Sequence, residues 1–393
     1  MLTCHCLMSS LRIVLGTDTF VNYQGGGHWS WLLQYALGLR AIGHTVLWLE
    51  LFHSSADQAA DHRRLRAFFT RMEHYDLHNN CAVLSFPPHS TETLADALSF
   101  GWEKNKVADF IRDADLLWNF SCAFKKSLLS LFKHPVLIDV DPGHLQISAA
   151  EFDQLDILEH KTYLTVGSRI NSDDCKIPHL GVTWHGFFPF VYLPLWKASE
   201  DAGPLAPFST ITHWTWEEFW LKDRVLSVSK RTAYLRYLEL PRMVRRPFEL
   251  AAHFHPLDNT GDRELLREHG WLLADPTRVA DSPESYRKYI CGSRAELLCP
   301  KPIFKDLITG WMSDRSVCYL ASARPVLAEE TGFSNVVPTG DGLLAFSSIK
   351  EAVAGVQEID GNYARHSAAA RALAEDVFNS AVCLPRMLAA CGV

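Results

Sequence analysis

The start of the chain alternates an apolar strand, a glycine-led helix and a second apolar strand, and this order restricts the possible folds. Residues 11–16 predict a buried strand, residues 25–39 an amphipathic helix and residues 44–51 a second strand. This order begins doubly wound α/β folds, in which helices cover a parallel sheet. We therefore expect a Rossmann-like fold in the first half of the chain.

The length of 393 residues indicates two domains, because a single hydrophobic core rarely grows that large. Proline and glycine are concentrated at 194–207, which we predict to be a linker. A segment at 208–214, rich in residues that favour strands, begins the second half. We expect domain boundaries at 1–200 and 201–375.

Composition and charge exclude several classes of protein. A net charge of −7 and a pI near 6.2 argue against a nucleic-acid surface, which needs clustered Lys and Arg. The chain has no run of the ~18–20 apolar residues that span a bilayer, and its first ten residues lack the pattern of a secretory signal. The ten cysteines form no Cys-x-x-Cys pairs, and Cys4, His5 and Cys6 are too few ligands for a metal site. We expect a cytoplasmic monomer or homodimer with reduced thiols and no nucleic-acid partner.

Three glycines, Gly25, Gly26 and Gly27, precede His28 at the start of the first predicted helix. Because glycine lacks a Cβ atom, the backbone at Gly26 and Gly27 can approach a ligand closely, and we expect both residues to contact one. The pattern is not the Gly-x-Gly-x-x-Gly of dinucleotide sites, although Glu50 stands near the position of their ribose-binding acid. His28 either lines the helix start or acts as a general base, a role that suits imidazole.

A second polar turn, Asp139-Val-Asp141-Pro-Gly-His144, ends a predicted strand at 136–140. Pro and Gly force a turn that leaves Asp141 and His144 at the carboxyl end of the strand. There the two side chains could deprotonate or orient an acceptor hydroxyl. The alternative is an Asx turn, in which Asp141 only accepts a hydrogen bond from its own backbone.

The stretch 310–333 contains a polar run that can cap a helix, a short apolar helix, a buried strand and an acidic loop. Ser313 is the expected N-cap, so the first-turn N–H groups and the helix dipole would favour a phosphate. Arg315 could pair with a diphosphate, and Asp314 could accept hydrogen bonds from ribose hydroxyls. The alternative is a capped surface helix without a ligand.

Residues 310–356, with Trp-Met-Ser-Asp-Arg-Ser at 311–316, resemble the donor-binding region of bacterial GT-B glycosyltransferases. The likeness is strongest to a group of bacterial glycosyltransferase-like proteins with Trp-Phe-Ser-Asp-Arg-Ser here and Asp-x-Asp-Pro-Gly in the first half, which this chain matches at 139–143. It extends more weakly over most of the chain. It implies two Rossmann-like domains facing across a cleft, with 376–393 returning to the first domain as a helix.

The resemblance implies that the first domain positions a small-molecule acceptor and that the second binds a nucleotide-diphosphate sugar. The co-substrate would be a UDP- or dTDP-sugar, held without a metal ion or another cofactor. In many inverting GT-B enzymes a histidine after the first strand is the base, as His28 would be here, and Asp141 competes for that role. The implied donor-binding residues are Lys230, Glu296, Lys301, Ser313, Asp314, Arg315, Ser316, Glu330, Thr331 and Gly332. Lys230 equally fits a solvated helix face, and Glu296 and Lys301 equally fit ordinary ion pairs.

This chain departs from many retaining GT-B enzymes in a motif that concerns stereochemistry. The Glu-x7-Glu spacing of many retaining GT-B enzymes is absent, since Gly310 and Cys318 occupy the aligned positions. We therefore expect inversion. The alternatives to a natural-product glycosyltransferase are a nucleotide-sugar 2-epimerase, a binding protein without transfer activity and an NAD-dependent dehydrogenase. A surface polysaccharide or a peptide is the alternative acceptor.

Overall fold

The computed structural model describes residues 10–88, 90–151, 155–216, 218–221, 224–255 and 261–393. The predictions for Cys4, His5, Cys6 and a secretory signal fall outside these residues. In the described part of the chain, no helix is long and apolar enough to cross a bilayer.

The first sheet has eight strands in the order β4-β3-β2-β1-β5-β6-β7-β8. Its strands are β1 (Arg12–Thr17), β2 (Thr45–His53), β3 (Cys81–Phe86), β4 (Leu98–Phe100), β5 (Leu116–Phe120), β6 (Pro135–Asp139), β7 (Thr162–Thr165) and β8 (Trp184–Gly186). The pairs β1–β2, β2–β3, β1–β5 and β5–β6 are parallel, and β3–β4 is antiparallel. The associated helices are α1 (Gly26–Ala41), α2 (Gln58–His74), α3 (Lys104–Asp113), α4 (Lys126–Leu129) and α5 (His144–Glu151). The predicted strand, helix and strand at the start of the chain are confirmed as β1, α1 and β2.

The second sheet has six strands in the order β13-β12-β9-β14-β15-β16, and all its pairs are parallel. Its strands are β9 (Phe208–His213), β12 (Phe248–His253), β13 (Trp271–Leu273), β14 (Ala295–Leu298), β15 (Val326–Glu329) and β16 (Leu343–Phe346), while β10 (Glu218–Leu221) and β11 (Arg224–Ser227) form an antiparallel ribbon. In chain order this is the 3-2-1-4-5-6 arrangement of the Rossmann fold. The order reverses between β9 and β14, and ligands of such sheets bind outside the carboxyl ends of the strands at this point.

Ten helices accompany the second sheet in the described residues. They are α6 (Lys230–Leu235), α7 (Leu240–Val244), α8 (Asp262–Glu268), α9 (Pro276–Val279), α10 (Pro283–Cys291), α11 (Pro302–Asp306), α12 (Asp314–Ala321), α13 (Ile349–Gly361), α14 (Tyr363–Asp376) and α15 (Ser380–Ala390). Strands such as β14 and β15 are buried along their whole length, because helices cover both faces of a parallel sheet.

The chain groups into two compact units. Unit 1 comprises 1–24, 35–138 and 153–163, and unit 2 comprises 25–34, 139–152 and 164–393. The core of unit 1 includes Val14, Leu49, Leu84, Phe110 and Phe124, and that of unit 2 includes Phe208, Trp214, Phe248, Leu297 and Leu327. Every residue predicted to bind the donor, bind the acceptor or act as the base lies in unit 2. The boundaries predicted near 200 and 375 stay a prediction.

Glu50, the candidate ribose-binding acid, is fully buried in unit 1. Its carboxylate accepts hydrogen bonds from Thr17 Oγ1, from the backbone N–H of Phe20 at 2.5 Å and of Val21 at 3.2 Å, and from Trp48 Nε1 at 3.4 Å. The carboxylate therefore holds the loop after β1. Glu50 therefore does not bind the ribose of a dinucleotide, because a side chain enclosed in this way has no surface to offer a ribose.

Candidate functional site

Helix α12 begins as predicted. Ser313 is the N-cap, and its Oγ accepts a hydrogen bond from the backbone N–H of Arg315 at 3.2 Å. Ser313, Arg315 and Ser316 are buried, whereas Asp314 is half-buried. The first-turn N–H groups and the positive end of the helix dipole favour an anion at this end.

The Arg315 side chain points into unit 2 rather than toward solvent. Nε donates to Glu296 Oε1 on β14 at 2.6 Å, and Nη1 donates to the carbonyl oxygen of Ile211 on β9 at 2.6 Å. Glu296 is therefore an ion-pair partner, one of the two roles expected for it. Three buried atoms next to this pair have no hydrogen-bond partner in the described structure: Arg315 Nη2, Glu296 Oε2 and Ser316 Oγ.

Two lysines add positive charge near the start of α12. Lys230 is the first residue of α6, and its Nζ lies 5.8 Å from the centroid of the Trp311 ring. Burial, followed by repulsion from Arg315 and Lys301, lowers the pKa of Lys230 to about 7, while Glu296 raises it. Lys301 lies just beyond the carboxyl end of β14. The cations thus gather where the strand order of the second sheet reverses.

His213, at the end of β9, belongs to the same cluster. Its ring centroid lies 5.5 Å from that of His253 and 5.5 Å from that of Trp216. Burial, followed by repulsion from His253, His28, Lys230 and Lys301, lowers the pKa of His213 to about 4. The imidazole is therefore neutral near pH 7.

The Asp139–His144 turn is an Asx turn, but Asp139 makes it rather than Asp141. Asp139, not Asp141, accepts the local backbone hydrogen bond, from Asp141 N to Oδ1 at 2.9 Å. Asp139 Oδ2 accepts from Gln146 Nε2 at 2.8 Å and from Thr165 Oγ1 at 2.7 Å. Burial raises the pKa of Asp139 to about 6, although these hydrogen bonds oppose the shift. The Asx turn of this segment is therefore made by Asp139, which leaves the side chain of Asp141 available for other contacts.

Asp141 pairs with charged groups instead. Its Oδ2 accepts a hydrogen bond from Lys301 Nζ and lies 3.2 Å from His144 Nδ1. Burial acts to raise the pKa of Asp141, but the charge of Lys301 and the contact with His144 outweigh it, so the pKa lies below its ordinary value. The other oxygen, Oδ1, is buried and has no hydrogen-bond partner among the described residues.

His28 lies in the first turn of α1 and is solvent-exposed. Desolvation by the surrounding protein lowers its pKa, while the charge of Asp314 acts in the opposite direction. His28, Asp314, His213 and Lys230 are therefore close enough to influence one another's charge.

The glycine loop approaches the protein itself at one position. A Cβ atom on Gly26 would lie 2.0 Å from the carbonyl oxygen of Ser282, and Gly26 N donates to Ala280 O at 2.7 Å. A Cβ atom on Gly27 would lie 3.5 Å from the Tyr286 ring, an ordinary contact. The close approach expected for a ligand is made at Gly26 by the backbone of Ser282.

The acidic loop after β15 is tied to residues 310–311. Thr331 Oγ1 donates to Trp311 O at 2.7 Å, and Gly310 N donates to Thr331 O at 2.8 Å. Glu330 Oε1 accepts from the backbone N–H of Gly332 at 2.6 Å. The polar atoms of Glu330 and Thr331 thus shape this loop, in addition to any contact with a sugar.

Gly310 explains in structural terms why the Glu-x7-Glu pattern is absent. Its φ of 69° is left-handed, and a Cβ atom there would lie 2.5 Å from Ser168 Oγ and 2.6 Å from Arg169 Cγ. The neighbouring Gly332, with φ 97°, would place a Cβ atom 2.8 Å from Arg169 Cδ. A glutamate at 310 would therefore displace the 168–169 segment.

Sequence reasoning missed the supporting residues His213, Asp139 and Gln146. Asp139 and Gln146 are the first and last residues of the sequence Asp-Val-Asp-Pro-Gly-His-Leu-Gln, so the spacing of its polar residues could have indicated their contact. His213 ends a strand beside two tryptophans, which suggests stacking rather than a charge cluster. Across the described ranges, no three His, Cys, Asp or Glu side chains are grouped to hold a metal ion.

Comparison with protein-family models and with curated protein sequences finds no match for the chain. Among solved structures, an alpha-glucosyltransferase in complex with UDP-glucose and DNA containing an abasic site aligns with a TM-score of 0.59 and 11% identity, over 98% of this chain and 100% of that chain. Anabaena Alr3699/HepE in complex with UDP and glucose aligns with a TM-score of 0.55 and 14% identity, over 96% of this chain and 98% of that chain. These identities establish a fold and leave the activity to be argued from the site. With its two Rossmann-like, mainly parallel sheets, the chain has the GT-B fold predicted from its sequence.

Proposed function

We propose that the protein is a glycosyltransferase that moves a sugar from a nucleotide-diphosphate sugar to a hydroxyl of a small-molecule acceptor. The observation that carries this proposal is the cation cluster of Lys230, Lys301 and Arg315 around the capped start of α12, at the strand-order reversal of the second sheet. Mutually repelling cations are stabilised when a polyanion joins them. Two structures of similar fold contain UDP or UDP-glucose, which fits a diphosphate as that anion.

The diphosphate would lie at the first turn of α12, within reach of the ammonium groups of Lys230 and Lys301. Arg315 would act on the diphosphate through its positive charge rather than by direct contact, because Glu296 and Ile211 hold its guanidinium. Fixed positive charge at this position would stabilise the negative charge that develops on the departing diphosphate. Asp314 would accept hydrogen bonds from the ribose, and the loop at Glu330–Gly332 would contact the sugar.

The acceptor hydroxyl needs a group that removes its proton, and two candidates are present. The pKa of Asp141 and the pKa of His28 both lie below their ordinary values, so both groups are deprotonated and can accept a proton near pH 7. Direct attack by the acceptor would invert the anomeric centre. NMR of the product gives the anomeric configuration, and a retained configuration would contradict a single displacement.

The proposed acceptor is a small molecule. One structure of similar fold contains DNA. A net charge of −7 makes this chain a poor partner for a polyanion. An acceptor screen should therefore include hydroxymethylated DNA beside phenolic, sugar and peptide acceptors, and a DNA-only product would overturn the small-molecule assignment.

The activity is tested by incubating the full chain with UDP- and dTDP-sugars and an acceptor mixture, with mass spectrometry and nucleotide release as readouts. We expect nucleotide release that depends on the acceptor. Release with water alone and a free 2-epimerised sugar would indicate an epimerase, and binding without release would indicate a binding protein. Lys230→Met should reduce this acceptor-dependent nucleotide release, with the exposed Lys350→Met as the matched control.

The donor site has its own test. Asp314→Ala should weaken UDP binding measured by calorimetry while changing stability little, because its half-buried carboxylate in the first turn of α12 contributes only about 0.3–1 kcal/mol through the helix dipole. Unchanged affinity would remove Asp314 from the donor site.

A further inference from the structure

Lys301 and Asp141 form an ion pair within unit 2, with Nζ donating to Oδ2. Neither side chain is sealed from solvent, since 22% of Lys301 and 31% of Asp141 is exposed. A ligand can therefore reach the pair and compete for either partner.

The carboxylate of this pair is fixed by its own turn. Asp139 accepts the backbone N–H of Asp141, and Asp139 is itself held by Gln146 and Thr165 at 2.8 and 2.7 Å. Gln146 Oε1 also accepts the backbone N–H of Gly143 at 2.6 Å. Because its main chain is anchored, Asp141 cannot follow Lys301 when the ammonium group turns away.

The ammonium of Lys301, in contrast, sits on a flexible four-carbon stem. Lys301 also lies near the start of α12. Its Nζ is 5.5 Å from the centroid of the Phe304 ring, and that ring is 4.5 Å from the Trp311 ring, two residues before the N-cap of the helix. An anion bound there attracts Lys301 more strongly than the single charge of Asp141, because a nucleoside diphosphate carries several negative charges.

We propose that Lys301 is shared between Asp141 and the donor diphosphate, so that nucleotide binding draws the ammonium group from the carboxylate and leaves Asp141 as the base. This inference rests on the proposed function. In the transfer step the acceptor oxygen forms a bond to the anomeric carbon, and the bond from that carbon to the diphosphate oxygen breaks. Its electron pair leaves with the diphosphate, and the hydroxyl proton passes to Asp141 Oδ2, the oxygen that Lys301 has left.

The charges around Asp141 determine whether its proton affinity rises or falls when the donor binds. Lys301 and His144 stabilise its charged form, and the neighbouring carboxylate of Asp139 opposes it. Loss of Lys301 therefore raises the proton affinity of Asp141. The carboxylate is then a weak base in the unliganded protein and a stronger base once the donor is bound.

The test follows the Asp141 carboxyl carbon by ¹³C NMR in the full chain labelled with carboxyl-¹³C aspartate. The signal is assigned by its loss in Asp141→Asn, and UDP is the probe, so no turnover is required. We expect the titration midpoint of Asp141 to move to higher pH when UDP is added to the wild type. In Lys301→Met the midpoint should already be high, and UDP should change it little.

Each outcome separates the two proposals. If calorimetry shows that UDP binds and the Asp141 midpoint does not move, the sharing of Lys301 is wrong and the donor site stands. If UDP raises the midpoint equally in Lys301→Met, phosphate charge alone is responsible, which also overturns the sharing. If neither UDP nor dTDP binds, the proposed function itself fails. Lys301→Arg, which keeps the charge, should retain the UDP-dependent shift and shows that the fold tolerates substitution here.

Discussion

Arg315 Nε donates a hydrogen bond to Glu296 Oε1 at 2.6 Å, and the two side chains are 10% and 0% exposed. This pair fastens the first turn of α12 to β14. The backbone N–H groups offered to an anion therefore have a fixed position relative to the second sheet.

Removing the acid of this pair should be costly. Glu296→Ala leaves a buried guanidinium unpaired, and we expect the free energy of unfolding to fall by about 3–5 kcal/mol. Urea denaturation measures the change. Glu264→Ala, which breaks an exposed pair with Arg267 on α8, is the control and should have little effect. Equal losses in the two variants would contradict the importance of the buried pair.

Lys230 should make nucleotide binding depend on pH. Its pKa of about 7 in the unliganded protein means that the ammonium fraction falls above that pH, while a bound diphosphate favours the charged form. We expect UDP affinity to fall between pH 7 and 9 and a proton to be taken up on binding, measured by calorimetry in buffers of different ionisation enthalpy. Lys230→Arg stays charged and should remove this dependence, whereas Lys230→Met should weaken binding about 10- to 100-fold at pH 7. A pH-independent wild type would exclude Lys230 from the anion site.

Replacing the base should separate catalysis from binding. If Asp141 is the base, Asp141→Asn lowers kcat by about 100- to 10,000-fold. UDP affinity should stay equal or increase, because the variant no longer attracts Lys301. His28→Asn gives the corresponding test of the histidine, and the exposed Asp173→Asn is the control. Wild-type kcat in both variants would eliminate both assignments.

Two neighbouring glycines should respond in opposite ways to alanine. Gly26→Ala places a methyl group 2.0 Å from Ser282 O, so backbone must move, and we expect a loss of at least about 1–3 kcal/mol. Gly27→Ala meets only the Tyr286 ring at 3.5 Å, within α1, and should be neutral or stabilising by about 0.5–1 kcal/mol. Chemical denaturation distinguishes them. Similar stabilities would show that the Gly26 contact is not required.

Glu50 should give unit 1 a pH-dependent stability. Burial raises its pKa from an ordinary value of 4.5 to about 7. Between these values the folded state holds a proton that the unfolded state releases, so stability is fully present below pH 4.5 and is lost as pH rises toward 7. Glu50→Gln cannot ionise and should flatten this part of the stability profile, measured by urea denaturation at several pH values. If the free energy of unfolding of Glu50→Gln depends on pH as that of the wild type does, another group causes the dependence.

Local patterns predicted the secondary structure well. The expected strands at 11–16, 44–51 and 136–140 match β1, β2 and β6 within two residues at either end. Each is a short apolar run bounded by polar residues or glycine, so the information lies within the segment itself. The Ser313 cap was predictable for the same reason.

Contacts between distant segments were not predictable. Asp141 and Lys301 are 160 residues apart, and nothing in either segment specifies the other. The sequence could not show that Asp139 rather than Asp141 makes the Asx turn, because both positions fit turn chemistry and only the positions of Gln146 and Thr165 decide between them. The Gly26 contact likewise depends on where the chain brings Ser282.

The pairing of β9 with β14 also has a consequence for folding kinetics. This central pair joins Phe208 to Ala295, so one edge of β9 stays unpaired until the long segment between the two strands has folded. Such non-local pairings form late, because the entropy of closing the loop is lost before the contacts are gained. The proposed anion site lies at the ends of these two strands and would therefore be completed only near the end of folding. During refolding, nucleotide binding would therefore report only fully folded molecules. A secondary-structure signal alone cannot distinguish these from molecules in which the two strands are not yet paired.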